Sequence, residues 1–367
     1  TMCDSMHHSL SESWNSPCPD SSSRIFHYCT PTSSRVSPQN APSSSTSSSD
    51  ESGLGSSPHE DFTSFYISPL RCAEYVIRSS SPAKCSLFTR QHSIPVVEPP
   101  TVLGSGGFGR VVLSSYNKKS VALKQVRGTG GAQQRLLGPE LLAFLVPSSP
   151  YVVSALGFTV AESCFHVMSE LVDGGSLQSL LDNEDCLVEN ELKMDAIHQI
   201  AIALAHCHSF SILHLDVKPS NVLFVKATRS FKLADFGCSM IGRRDQIGNG
   251  ADIFEVLCCP DHDRLLGGTI PYQAPEIFRK SGVCCRSDIY SLGVCAWHIL
   301  TGTSPFYGLH PHFVVYAVVK DDARPDINQI GPPFEPFREL LPILWSPDAL
   351  SRPSSVEVLH MVANLCL

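Results

Sequence analysis

"HLDVKPSN", His214–Asn221, stands between an apolar run and "FKLADFG", Phe231–Gly237, and sets a carboxylate, an ammonium and an amide at i, i+2 and i+5. On a helix of 3.6 residues per turn these side chains would point to different faces. The spacing suits an ordered loop, where each group is aimed separately. Pro219 agrees, because its ring fixes φ and it donates no hydrogen bond.

Composition bounds what such a loop can serve. The 367 residues, 43% of them hydrophobic, suffice for one large domain or two lobes with a real core. A net charge of -8 argues against a nucleic-acid surface, which needs clustered Lys and Arg. Apolar windows such as "FVVYAVV", Phe313–Val319, fall far short of the ~20 residues of a membrane span, and no signal-peptide pattern appears. The 15 cysteines are irregularly spaced without a C-x-x-C, which reads as a reduced, cytoplasmic setting. No internal repeat is visible.

Organisation changes near residue 95. Residues 1–95, typified by "APSSSTSSSDESGLGSSP", are Ser- and Pro-rich and bury too little to offset ordering entropy, so disorder is expected there. Beyond them "VVLSSY" (Val111–Tyr116) and "SVALKQV" (Ser120–Val126) read as strands around the turn "NKK". "ELLAFL" (Glu140–Leu145), "MDAIHQIAIALAHCHS" (Met194–Ser209) and "DIYSLGVCAWHILTG" (Asp288–Gly302) carry helical spacing. Strands early and helices late predict an α+β, bilobal fold over 97–367. A small β-rich lobe would span about 97–170 and a larger helical lobe about 171–367, with a ligand held in the cleft between them.

One end of that cleft is legible in "LGSGGFGRVVL", Leu103–Leu113, where Gly104, Gly106 and Gly109 form G-x-G-x-x-G between strands. Backbone without side chains approaches phosphate oxygens closely, though a glycine hairpin with no ligand has the same pattern. A dinucleotide fingerprint would need a helix at the last glycine, whereas Arg110–Leu113 continues as strand. Lys124 follows on the next strand, and a buried lysine needs a partner, which Glu140 can supply.

Together these motifs resemble the protein kinase family, over residues ~97–367. The resemblance implies that ATP and Mg2+ are the cofactors. Leu103, Gly104, Ser105, Gly106, Gly107, Phe108, Gly109, Arg110, Val111, Ala122, Lys124, Glu140, Glu170 and Val172 would contact or support the nucleotide. Asp216 and Lys218 would be catalytic, and Asn221 and Asp235 would bind magnesium. "GTIPYQAPE" (Gly268–Glu276) resembles the end of an activation segment, Asp288 the brace of the catalytic loop, and Arg352 the ion-pair partner of Glu276. His206, Cys207 and His208 match the ordinary helix before that loop and lack a second ligand pair for zinc. Lys218 and Thr269 point to the serine/threonine branch, in which the threonine hydroxyl would contact Asp216. A pseudokinase scaffold is the rival of another class.

A narrower resemblance, to the Mos kinases, rests on "HLDVKPSNVL", "DFGCSM", "LGGTIPYQAPE", "YAVVKDDARP" and "ISPLR" (Ile67–Arg71). It implies a monomeric MAP kinase kinase kinase that phosphorylates MAP kinase kinase in oocyte meiosis and metaphase arrest. Another kinase of that tier is the alternative. It also makes residues 1–66, which begin at Thr1, an extension beyond the usual start. Ser16, Ser37, Ser57, Ser68 and Ser81 precede proline and are expected feedback sites. Small Ser169 is expected to leave depth behind adenine, unless Met168 fills it. Leu215 stands where many kinases carry an arginine that awaits an activation-segment phosphate. With few hydroxyls between Asp235 and Glu276, chiefly Ser239 and Thr269, activity without that phosphate is expected, unless Arg243 and Arg244 form a substitute pocket.

Overall fold

Asn117 and Lys118 both take left-handed φ, +50° and +62°, the two-residue turn whose twist suits antiparallel strands. Around it run β1 (Val102–Gly106), β2 (Gly109–Tyr116) and β3 (Lys119–Arg127). With β4 (Ala155–Val160) and β5 (Cys164–Glu170) they make a five-stranded antiparallel sheet in the order β1-β2-β3-β5-β4. This computed structural model describes residues 101–106, 109–127, 138–160, 164–183, 188–247, 251–255 and 267–365, all within one compact unit, Phe62–Leu367. The expectations for residues 1–95 with their five Ser-Pro sites, for Gly107 and Phe108, and for the Arg243 and Arg244 side chains lie outside the described residues.

Strand alternation gives the sheet two buried faces. Val112, Val121, Leu123 and Met168 cluster on one. Val126, Phe165 and Val167 pack on the other against Leu141 and Phe144. The helix expected over Glu140–Leu145 ends sooner. Helical conformation covers 138–142, after which the Phe144 and Leu145 amides bond three residues back, to the Leu141 and Leu142 carbonyls at 3.1 and 2.9 Å. Pro147 sets a limit the helix could not pass, since the residue before a proline, here Val146, is pushed out of the α region.

Beyond the sheet the chain is mostly helical: α1 (Leu177–Leu181), α2 (Asn190–Ser209), α3 (Pro275–Arg279), α4 (Cys285–Thr301), α5 (Pro311–Lys320), α6 (Phe337–Leu344) and α7 (Ser355–Leu365). In α2 the buried residues Ala196, Ile197, Ile200, Ala201, Ala203, Leu204 and Cys207 fall on one stripe, as the apolar spacing predicts. Helix α4 is buried from Cys285 to Leu300 except at Arg286, with α2, α6 and α7 packed on it. It stops at Gly302, whose φ of +70° suits glycine and whose amide bonds back to the His298 carbonyl. No helix among the described residues is long and apolar enough to cross a membrane.

Candidate active site

Two short ribbons carry the loop 214–221. β6 (Ile212–Leu213) leads into it and β7 (Val222–Val225) leads out. β7 pairs with β8 (Ser230–Leu233), and β6 pairs with β9 (Met240–Ile241), so the segment containing Asp235 is laid beside the loop. The Ala234 amide donates to the Asn221 carbonyl at 2.8 Å and ties the two together. As the spacing predicts, residues 214–218 are irregular. Pro219–Asn221 form a single 3-10 turn with Pro219 in its first position.

The loop's three polar groups converge. The buried Asp216 carboxylate accepts at Oδ2 from Lys218 Nζ (2.7 Å) and Asn221 Nδ2 (2.9 Å), and at Oδ1 from the Thr269 amide (2.9 Å). Asn221 Nδ2 also donates to the Asp216 carbonyl at 2.8 Å, which fixes the amide and leaves Oδ1 as its acceptor. Lys218 donates in addition to the Thr269 hydroxyl, at 2.5 Å. The resemblance assigned that hydroxyl to the aspartate; in the structure the threonine meets Asp216 through its backbone amide, and its hydroxyl oxygen accepts from the lysine.

A second cluster joins the sheet to this region. Lys124, on β3, bonds to Glu140 and, at 2.6 Å, to Asp235 Oδ1. Burial opposes the lysine's charge, yet the Glu140 and Asp235 carboxylates more than offset it and raise its pKa above the ordinary lysine range. Burial pushes Glu140 up to about 7, against the pull of Lys124. Asp235 is held below the usual carboxylate range: burial works the other way, but Lys124, the Gly237 amide at 3.1 Å and His214 prevail. One ammonium thus faces two carboxylates.

The strands place the other expected residues. Leu103, Gly104, Ser105 and Gly106 lie on β1, and Gly109, Arg110 and Val111 on β2. Gly109 is obligatory, because at φ +140° an added Cβ would stand 2.3 Å from the Gln125 carbonyl oxygen. Val111 pairs with Lys124, and Ala122 with Ser169, so Val111, Ala122, Lys124 and Ser169 share one face of the sheet. Arg110 pairs with Gln125, and its side chain falls on the opposite face. Glu170 ends β5 with its carboxylate committed to Lys232 (2.7 and 2.8 Å) and to the Ser154 amide (2.8 Å), and its own amide donates to the Ser154 carbonyl at 3.0 Å, so what it can turn to a ligand is its backbone carbonyl. Val172 follows, half-buried.

Deeper contacts hold the loop. Asp288, fully buried in the first turn of α4, accepts from the amides of His214 (2.9 Å) and Leu215 (2.7 Å) and from His208 Nε2 (2.8 Å). Burial alone would raise its pKa, but these partners hold it low. Leu215 and Asp235 both sit at left-handed φ, +62° and +66°, a geometry that costs an L-residue roughly 1–2 kcal/mol and that such anchoring sustains. Arg352, with no exposed surface, forms a bidentate pair with Glu276 at 2.7 and 2.9 Å. Of the residues weighed for zinc, His206 turns to the Pro147 carbonyl, His208 to Asp288, and Cys207 is buried, its thiol pushed up to about 12 by burial and by Asp288.

A five-stranded sheet followed by a helical region, with a lysine on the sheet that bonds Glu140 from the helical stretch 138–142 and Asp235 from beyond the sheet, is the architecture of one large class of phosphotransferase. The chain belongs to the protein kinase family, whose domain matches residues 98–362. Among curated relatives, the serine/threonine-protein kinase mos of Patiria pectinifera is 34% identical over 70% of this chain and 72% of that protein. The mos kinase of Xenopus laevis is 30% identical over 77% of the chain and 79% of that protein. The proto-oncogene serine/threonine-protein kinase mos of Mus musculus is 31% identical over 69% and 76%. The chain is thus a Mos-like serine/threonine protein kinase.

Proposed function

We propose that Asp216 and Lys218 carry the transfer of the ATP γ-phosphoryl group to a serine or threonine hydroxyl, and that the acceptor is a MAP kinase kinase, in the cytoplasm of maturing and metaphase-arrested oocytes. The observation that carries the chemistry is the Asp216 carboxylate fixed by Thr269, Lys218 and Asn221 beside the Lys124–Asp235 pair. Its orientation suits it to hold the acceptor hydroxyl and take its proton. Lys218, beside it, supplies positive charge where the transferring group passes, and Lys124, braced by Glu140, serves the other phosphates. The glycine strands β1 and β2 offer amides to those phosphates, and the backbone of Glu170 and Val172 is set to meet the adenine edge.

Magnesium fits the residues present. Asp235 Oδ2 and Asn221 Oδ1 are hard oxygen donors left over after the bonds described, and the cluster of two carboxylates on one ammonium lacks positive charge. When bound there, the ion would supply charge neutralisation at the bridging phosphate oxygens. The acceptor and the meiotic role are supported by the resemblance to the Mos kinases, and the monomeric state is part of the same reading.

The activation segment supports activity without a phosphate. No serine, threonine or tyrosine stands between Met240 and Gly268. Ser239 is buried, and the Thr269 hydroxyl is engaged by Lys218. Leu215, buried without charge, puts no cation at the position before Asp216 to wait for a phosphate. The full chain, expressed in bacteria, stripped with phosphatase and checked by mass spectrometry, is expected to phosphorylate catalytically inactive MAP kinase kinase on serine or threonine within about twofold of its untreated rate. Absence of transfer to MAP kinase kinase, with transfer to a generic protein intact, would refute the acceptor. Loss of most activity on dephosphorylation, restored by rephosphorylation, would refute the Leu215 argument.

The rear of the nucleotide site is equally testable. Ser169 faces Ala122 across β3 and Ala155 across β4, so three small side chains meet. Met168 cannot fill the space, because it points to the other face of the sheet, buried with Val112, Val121 and Leu123. A pyrazolopyrimidine with a bulky C3 aromatic group is expected to inhibit the wild type roughly 10- to 100-fold more strongly than Ser169→Met, the value of burying one such ring. Equal potency would remove the inference.

A further inference from the structure

The five-stranded sheet is closed on both faces, and the described residues account for the cover of only one. On the face that carries Lys124, Leu141 and Phe144 pack on Val126, Phe165 and Val167. The opposite face is buried as deeply. Val112 and Leu123 have no exposed surface there, and Ser114, Met168 and Val121 keep 1%, 2% and 3%. Register brings these side chains together, because Val112 pairs with Leu123, Ser114 with Val121, and Leu123 with Met168. Among the described residues their apolar cluster is drawn from strands alone, with Tyr116 and Leu156 at its border. One layer of strands cannot bury its own face: side chains stand out from the pleat and meet water unless a second layer lies about 10 Å away.

Position and length identify that layer. Of the stretches outside the described residues, 107–108 joins β1 to β2, 161–163 joins β4 to β5, and 128–137 leads from β3 to the helical stretch 138–142. The first two are too short to cover five side chains. The third is spent in reaching the Lys124 face, where Leu141 packs. The stretches beyond β5 interrupt the part of the chain past the sheet. Residues 62–100 are left, and they belong to the compact unit that begins at Phe62. They run straight into the sheet at Thr101, whose carbonyl accepts from the Leu113 amide of β2 at 2.8 Å. Their sequence suits a cover. "FYISPLRCAEYVIRS" (Phe65–Ser79) and "IPVV" (Ile94–Val97) supply apolar side chains that "APSSSTSSSDESGLGSSP" (Ala41–Pro58) nearly lacks.

We propose that residues 62–100 form the second layer, lying across the outer face of the sheet and sealing Val112, Leu123 and Met168. The folded catalytic unit of this chain then begins at Phe62, ahead of the family match at 98. This replaces the disorder expected for residues 62–95 and keeps that expectation for 1–61. Strands β2 and β3 hold Gly109 and Lys124, so the segment braces the proposed nucleotide site from behind.

Thiol labelling of the full chain tests the seal. Val112→Cys puts a small apolar side chain at the centre of the face, and Val102→Cys, at a position 49% exposed, is the open reference. Maleimide labelling at each position is followed in mass-mapped peptides, with native Cys295, buried in α4, reporting on global unfolding. The expected rate at position 112 is at least about 100-fold below that at 102. A protease site placed between Asp61 and Phe62, once cut, is expected to leave the rate at 112 within about twofold of that in the uncut chain. With the site between Glu98 and Pro99 instead, the cut segment is expected either to stay with the domain in gel filtration or to leave and raise labelling at 112 by about tenfold or more, Cys295 remaining protected. Labelling at 112 as fast as at 102 in the uncut chain would overturn the proposal. Exposure of 112 by the cut at Asp61 would overturn it too, because the cover would then be 1–61. Departure of the segment with 112 still protected, or with Cys295 labelled equally, would likewise overturn a cover confined to this face.

Discussion

Replacing Asp216 by asparagine is expected to lower kcat by roughly 10²- to 10⁴-fold, the usual contribution of a positioned general base, while nucleotide affinity stays near that of wild type. The fold should tolerate the change. Asparagine has nearly the same shape, and its oxygen can still accept from the Thr269 amide, now at 2.9 Å from Oδ1. What changes is the other side, where the new NH2 would confront two donors, Lys218 Nζ and Asn221 Nδ2, that now share Oδ2. The acceptor hydroxyl loses the base proposed for it, and Lys218 loses one of its two anchors and keeps the Thr269 hydroxyl. Lys124, Glu140 and Asp235 form no hydrogen bond to Asp216, so the grip proposed for them on the nucleotide should persist. Turnover on a short peptide together with calorimetric titration of a non-hydrolysable nucleotide separates the two effects. A variant retaining more than about a tenth of wild-type turnover would show that Asp216 does not act as the base.

Much of this arrangement is legible in the sequence because it is local. The offsets within 214–221 exclude a helix, and the apolar spacing of 194–209 and 288–302 announces α2 and α4. The contacts that give those residues their geometry join distant segments and have no period to read. Thr269 lies 51 residues beyond Lys218, and only the fold shows that its hydroxyl goes to the lysine and its amide to Asp216. The Glu170–Lys232 pair, 62 residues apart, is of the same kind, and it removes a carboxylate that composition alone would leave free. A local signal did exist for one element the spacing argument passed over: β10 (Arg243–Ile247) and β11 (Ala251–Glu255) form an antiparallel ribbon, and the intervening Gly248-Asn249-Gly250 is a strong hairpin sequence. The early end of the helical run at 142 shows the converse, a pattern that persists in sequence after the backbone has left the helix.

The largest effect on stability is expected at Arg352. Its guanidinium is wholly buried, donates to both oxygens of Glu276 and to the Ser346 and Arg286 carbonyls at 2.8 and 3.0 Å, and lies 5.1 Å from the Tyr290 ring centroid. Arg352→Leu removes every one of these bonds at once. Glu276 would keep the Ser287 hydroxyl at 2.7 Å but would otherwise be a buried carboxylate without its cation. Breaking a buried pair from one side costs about 3–5 kcal/mol, mostly as the penalty on the charge left behind. For a domain of this size that corresponds to a fall in melting temperature of roughly 10 °C. Glu276→Gln should cost less, since the amide oxygen can still accept from Arg352 and the residual charge is then a cation with two carbonyl partners. Because Glu276 begins α3 just beyond the turn that carries Thr269, the loosened segment should also lower activity below the melting transition. Thermal unfolding of both variants followed by calorimetry decides the matter: if Arg352→Leu melts within about 2 °C of the wild type, the pair does not hold the segment and its burial has another explanation.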